Sequence, residues 1–82
     1  MQLLKFYATW CGPCKMLSKT MEDIKFPYEV IPVDIDENMD LAIKYGVRGV
    51  PALILINEEG NPITSSVGLL SKKDLEAKFL TS

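Results

Sequence analysis

The sulfur atoms of Cys11 and Cys14, the only cysteines of the chain, are its residues best suited to covalent chemistry; they lie in the run Trp10-Cys11-Gly12-Pro13-Cys14-Lys15. An apolar run, Leu3-Leu4-Lys5-Phe6-Tyr7-Ala8, precedes them and reads as a strand, while Lys15-Met16-Leu17 onward reads as a helix. The pair therefore falls where a strand hands over to a helix N-terminus. Unpaired backbone N–H groups and the helix dipole favour negative charge there. A thiolate is the negative charge that thiol–disulfide exchange requires. Cys14 follows Cys11 by one helical turn, so both sulfurs share a face and can close a small ring. Gly12-Pro13 stiffens that ring, and proline is tolerated in a first helical turn.

Three other uses of the pair stand beside exchange chemistry. A static disulfide closing so short a loop would constrain the unfolded chain little. A zinc site normally takes four ligands, and two cysteines without a histidine would need carboxylates or a second subunit. An iron–sulfur cluster bridging two chains is a related arrangement, against which the Gly-Pro between the cysteines speaks.

The 82 residues suffice for one small domain, 1–82, and an apolar content of 48% belongs to a globular chain rather than a disordered one. With a net charge of −2 and no basic run, a nucleic-acid partner is not expected, because phosphate binding needs clustered positive charge. No stretch approaches the roughly 20 apolar residues needed to span a bilayer. Met1-Gln2 runs straight into the first strand with no leader, so a cytoplasmic location is expected. In that reducing compartment a lone cysteine pair reads as catalytic or metal-binding rather than as a staple.

The elements that would hold the pair alternate. A strand over residues 2–7 precedes a helix over 12–25, where Met16, Leu17, Met21 and Ile24 recur at helical spacing. Phe26-Pro27-Tyr28 is a break, and residues 29–34 read as a second strand, placed at a sheet edge by Pro32. Residues 38–45 form a short helix stopped at Gly46. Residues 52–56 and 62–67 form a hairpin across Glu58-Glu59-Gly60-Asn61. Ser71 caps a last helix running through Leu75, Phe79 and Leu80. The order β-α-β-α-β-β-α makes the first two strands parallel by a right-handed crossover.

Along nearly its whole length the chain resembles the thioredoxins. Trp10-Cys11-Gly12-Pro13-Cys14-Lys15 is similar to their active-site motif, Tyr45-Gly46-Val47-Arg48-Gly49-Val50-Pro51-Ala52 to their segment ending in a cis-proline, and Val67-Gly68 to their late glycine. Without the extra N-terminal strand and helix of full-length thioredoxins, the chain reads as a minimal, glutaredoxin-sized version. The resemblance implies a thioredoxin-like α/β fold: a four-stranded mixed sheet, order β2-β1-β3-β4, flanked by three helices. It further implies a protein disulfide reductase and electron carrier that needs no cofactor beyond its own redox-active Cys11–Cys14 disulfide. Cys11, at the helix N-terminus and by position the more exposed sulfur, is the nucleophile. It forms a mixed disulfide that Cys14 resolves. Pro51, with Gly12, Pro13 and Lys15, supports the site. Trp10, Val50, Pro51, Gly68 and Leu69 form a flat apolar patch for docking protein disulfides.

One departure bears on the chemistry. Thioredoxins typically carry a buried aspartate six residues before the first cysteine, where this chain has Lys5. On an alternating strand Lys5 faces with Leu3 and Tyr7, where an unpaired charge is costly to bury. Pairing with a carboxylate such as Asp34, or snorkelling to the sheet edge, is the expectation; direct action on Cys14, as a modulator of thiol acidity, is the other outcome.

By resemblance the expected partners are thioredoxin reductase or an equivalent electron donor, and protein disulfides, for a protein acting as a monomer. Two further functions remain open on the sequence. One is a glutaredoxin-like reductase using glutathione. The other is a non-catalytic docking subunit whose redox chemistry is incidental.

Overall fold

A computed structural model of the chain describes residues 1–80 and contains seven elements: β1 (Gln2–Tyr7), α1 (Gly12–Glu22), β2 (Glu29–Asp34), α2 (Met39–Lys44), β3 (Ala52–Ile56), β4 (Pro62–Val67) and α3 (Lys72–Phe79). Their order matches the β-α-β-α-β-β-α expectation, and the sheet runs β2-β1-β3-β4. β1 pairs parallel with β2 and antiparallel with β3, and β3 pairs antiparallel with β4. Pro32 lies in edge strand β2, opposite Lys5 of β1, where its missing N–H interrupts no interior ladder.

Alternation along the strands separates two apolar layers. Leu3, Leu53 and Leu55 face Leu17 and Met21 of α1 and Leu75 and Phe79 of α3. Leu4, Phe6, Ala52, Ile54 and Ile56 face Ala42 of α2. All five residues of β3 are buried, as a strand covered on both faces requires. Its continuous Ala-Leu-Ile-Leu-Ile run is the sequence signature of that position.

The helix ends follow local chemistry. Ser71 Oγ accepts the Asp74 N–H at 3.1 Å, so the expected cap of α3 is made. α2 ends in paired hydrogen bonds: Gly46 N–H donates to the Ile43 carbonyl at 3.1 Å and Val47 N–H to that of Ala42 at 2.8 Å. This closure needs a left-handed residue, and Gly46 has φ +69°. α1 is shorter than the 12–25 expected. It stops at Glu22, with Asp23 as its C-cap. Pro27 biases the preceding chain away from helix, and Ile24 turns into the core from outside the helix, 8% exposed.

Candidate active site

The β1–α1 junction builds the site. Cys11 is the N-cap of α1, with extended backbone angles (φ −92°, ψ 109°), and Pro13 sits in the first turn. In that conformation Cys11 N–H donates to the Ala8 carbonyl at 3.1 Å, and Cys11 Sγ accepts the Cys14 N–H at 3.1 Å. The first turn of α1 contains no acidic side chain to compete with a thiolate. Cys11 and Cys14 are joined as a disulfide. On reduction, the N–H that meets Cys11 Sγ would make a charge-assisted hydrogen bond to its thiolate.

Both cysteines are 4% exposed, so the expectation that Cys11 is the more exposed does not hold. Tyr7, Ile35 and Val50 pack around the cluster of Ala8, Cys11 and Cys14, and the two cysteine residues are equally buried. A substrate disulfide must therefore be brought close to the junction rather than met in open solvent.

The second segment expected at the site arrives from the start of β3. The Val50–Pro51 peptide bond is cis, as the resemblance implies, and Val50 packs on the cysteine cluster while Pro51 is fully buried. Gly68, with φ +97°, donates its N–H to the Pro51 carbonyl at 2.8 Å, which fixes the end of β4 beside that turn. A side chain at Gly68 would be strained in this conformation. Gly12, Pro13 and Lys15 are exposed on the first turn of α1. Leu69 is exposed and shares a groove with Met16, Lys19 and Leu70 between α1 and the segment leading to α3.

Trp10 is a surface residue, 69% exposed, and not part of the core. Its indole Nε1–H donates to Asp36 Oδ2 at 3.1 Å. Asp36 is in turn oriented by its own N–H, which donates to Asp34 Oδ1 at 2.9 Å. Asp36 escaped the sequence reading because it lies 26 residues from Trp10, with no motif linking the two.

Lys5 departs from its expected pairing. Its ammonium donates to Ser18 Oγ on α1 at 2.8 Å and does not engage Asp34, whose carboxylate holds the Asp36 N–H. Lys5 points to the α1 face of the sheet, and Ser18 stands over it there, so a neutral hydroxyl rather than an edge-strand carboxylate meets the charge. Burial lowers the Lys5 pKa below its ordinary 10.5, opposed by the nearby carboxylate of Glu22. Ser18 was not singled out in the sequence, though its place four residues after Cys14 marks the same helix face.

Among the described residues no group of three or more His, Cys, Asp or Glu side chains is arranged to hold a metal ion. No described helix is long and apolar enough to cross a membrane. A redox-active disulfide at a helix N-terminus, backed by a cis-proline turn on a β2-β1-β3-β4 sheet, defines a thiol–disulfide oxidoreductase of thioredoxin-like fold.

Comparison with known proteins agrees. The family model described as Thioredoxin matches residues 1–81. A thioredoxin of Pseudomonas aeruginosa is 43% identical over 79 residues, covering 92% of this chain and 72% of the relative. One from Staphylococcus aureus is 41% identical over 78 residues, covering 90% and 74%. The solved structure of a mutant thioredoxin from Halobacterium salinarum superposes with a TM-score of 0.82 at 40% identity, over 95% of this chain and 74% of that one. The chain belongs to the thioredoxin family. It is a protein disulfide oxidoreductase whose redox group is carried in the chain itself. Members of this family act on protein disulfides and are reduced by thioredoxin reductase.

Proposed function

We propose that Cys11 is the attacking thiol and Cys14 the resolving thiol in a two-step reduction of protein disulfides. The observation that carries this assignment is the place of Cys11 as N-cap, its sulfur accepting the Cys14 N–H. In the reduced protein the Cys11 thiolate attacks one sulfur of a substrate disulfide. A mixed disulfide forms and the other substrate sulfur leaves as a thiolate. Cys14 then attacks Cys11 Sγ, the Cys11–Cys14 disulfide closes, and the second substrate sulfur departs. Two electrons pass to the substrate, and thioredoxin reductase or an equivalent donor restores the dithiol.

Lowering a thiol pKa from about 8.5 to about 7 raises its ionised fraction at neutral pH roughly tenfold, partly offset by lower intrinsic nucleophilicity. The exposed Trp10, Gly12 and Pro13 on one side, and Val50, Gly68 and Leu69 on the other, form the docking rim for an extended substrate segment, while Pro51, expected in this patch, is buried and supports the rim from beneath. Lys15 borders the rim as an exposed cation at the start of α1. The protein works as a single domain, 1–82, and as a monomer in the cytoplasm.

Trapping on protein disulfides tests the assignment. Cys14→Ser accumulates covalent adducts through Cys11, Cys11→Ser accumulates none, and both abolish turnover driven by NADPH and thioredoxin reductase. Adducts that form through Cys14 in the Cys11→Ser variant, with none in the reverse case, exchange the two roles. Turnover with glutathione alone, or full biological activity of Cys11→Ser, replaces the reading with a glutathione-dependent reductase or a docking subunit respectively.

A further inference from the structure

Behind the disulfide, on the α1 side of the sheet, two hollows meet along one face of the helix. The first, of about 580 Å³, is lined by Cys14, Ser18 and Glu22 of α1 and by Tyr7 at the end of β1. The second, of about 350 Å³, is lined by Lys5, Tyr28 and again Ser18 and Glu22. Cys14, Ser18 and Glu22 follow one another at four-residue intervals, so they form a single ridge. The Lys5 ammonium crosses from the sheet to the middle of this ridge and bonds Ser18 Oγ at 2.8 Å.

We propose that Lys5 and Ser18 form a charge-positioning pair that promotes the Cys14 thiolate when substrate is to be released. Cβ atoms four residues apart on a helix are about 5–6 Å apart, so an ammonium fastened to Ser18 is held one helical turn from Cys14, at a range over which Coulomb attraction to its thiolate acts. Lys5 and Ser18 are positioning residues in this scheme, and the reading of Cys14 as the resolving thiol is the one it rests on.

The other charges around Cys14 are weaker candidates. Lys15 and Lys19 of α1, which also border the first hollow, are exposed and screened by solvent. Glu22 is exposed as well and opposes the effect. Tyr7 lines the same hollow from the end of β1. On the far side, Asp34 and Asp36 flank Ile35, which packs on the cysteine cluster, but Asp36 is engaged by Trp10 and Asp34 by the Asp36 N–H. Lys5 is half-buried and held toward α1 by Ser18. Its burial lowers its own pKa, and the Glu22 carboxylate works the other way, favouring the ammonium.

The step balances without an internal base. Cys14 gives its proton to water in the first hollow, and its thiolate attacks Cys11 Sγ of the mixed disulfide. The Cys11–Cys14 bond forms, and the substrate sulfur leaves with the electron pair of the broken bond and takes a proton from solvent.

The test reads the acidity of Cys14 as the lone thiol in a Cys11→Ser background, from thiolate absorbance against pH. Lys5→Met is expected to lower its acid dissociation constant about tenfold, a shift equivalent to about 1.4 kcal/mol. Ser18→Ala should lower it about threefold by releasing the ammonium, and Lys5→Arg should stay within about twofold of the parent. The Lys5→Met/Ser18→Ala combination should fall no further than Lys5→Met alone. In the complete dithiol protein, a tenfold loss of thiolate offset by higher nucleophilicity gives about threefold slower release of substrate. A Lys5→Met shift under twofold, or full additivity of the two single shifts, overturns the proposal. If Lys5→Met does not fold, Ser18→Ala and Lys5→Arg decide by the same criteria. Failure here with intact Cys11 adducts leaves the two-step reading standing, whereas loss of those adducts overturns that reading whatever the acidity of Cys14.

Discussion

The two faces of β1 meet their helices in different ways. Toward α2 the strand presents Leu4 and Phe6, which join Val33, Ala42, Ala52, Ile54 and Ile56 in a layer with no buried polar side chain among them. Toward α1 and α3 it presents Leu3, Lys5 and Tyr7, and the apolar layer around Leu3 gives way to a polar seam at Lys5 and Ser18 before reaching the cysteines. One face is built for cohesion alone. The other gives up some cohesion near the chemistry, where charge and a route for a proton are needed. A half-buried ammonium bonded to a neutral hydroxyl is a stability cost, and its place on the helix face that carries Cys14 is the basis of the role we propose for it.

The contrast predicts an ordered series of effects. The largest lies on the α2 face: Phe6→Ala should lose about 3–5 kcal/mol of unfolding free energy, read from urea denaturation at neutral pH. Disulfide exchange per folded molecule should stay unchanged. A loss below about 1 kcal/mol would mean that this layer is not the cohesive one.

On the opposite face, Tyr28 fastens β2 to the end of α3 through its hydroxyl, which donates to the Phe79 carbonyl at 2.6 Å. Tyr28→Phe removes that bond and should cost about 0.5–1.5 kcal/mol in the same measurement. The expectation fails if the variant is as stable as the parent.

The same face should reveal itself in the pH dependence of stability. The Lys5 pKa is lowered by burial, so between its folded value and 10.5 the unfolded chain binds more protons, and stability rises with pH across that window. Burial raises the Tyr28 pKa above 10.0, so its contribution is complete below 10.0 and is lost as pH rises through the folded value. Urea midpoints taken from neutral pH upward should lose their rise in Lys5→Met and their fall in Tyr28→Phe. An unaltered curve in either variant removes that residue from the account.

The smallest stability effect concerns the loop between β2 and α2. Asp36→Ala frees the exposed Trp10 indole and should change stability by less than about 0.5 kcal/mol. Its consequence should appear in docking, as a KM for protein disulfides raised about twofold with kcat held. A matched fall in kcat instead would move Asp36 from docking into the exchange step.

Much of this architecture was legible before any geometry. The apolar run Ala52–Ile56 marks a strand covered on both faces, Pro32 marks an edge, Gly46 and Ser71 mark helix ends, and each holds in the structure. The helix after the cysteines read three residues too long, because the periodicity of Ile24 survives in the fold although Asp23 has already ended the helix. The burial of the two cysteine residues differs from the expectation for another reason. Position on the N-cap suggested an open Cys11, but Val50 and Ile35, distant in sequence, close over both cysteines alike.

Chain order, element type, caps and the cysteine pair at a helix N-terminus follow from preferences that act over a few residues, and a string of amino acids displays those directly. The partners of the long polar side chains do not. Lys5 reaches Ser18 across 13 residues and Trp10 reaches Asp36 across 26. A lysine has many rotamers of similar energy, and which acceptor it meets depends on where a packed helix sets its face over the sheet. Packing turned the lysine toward the helix that carries Cys14, and so gave this dithiol its electrostatic surroundings.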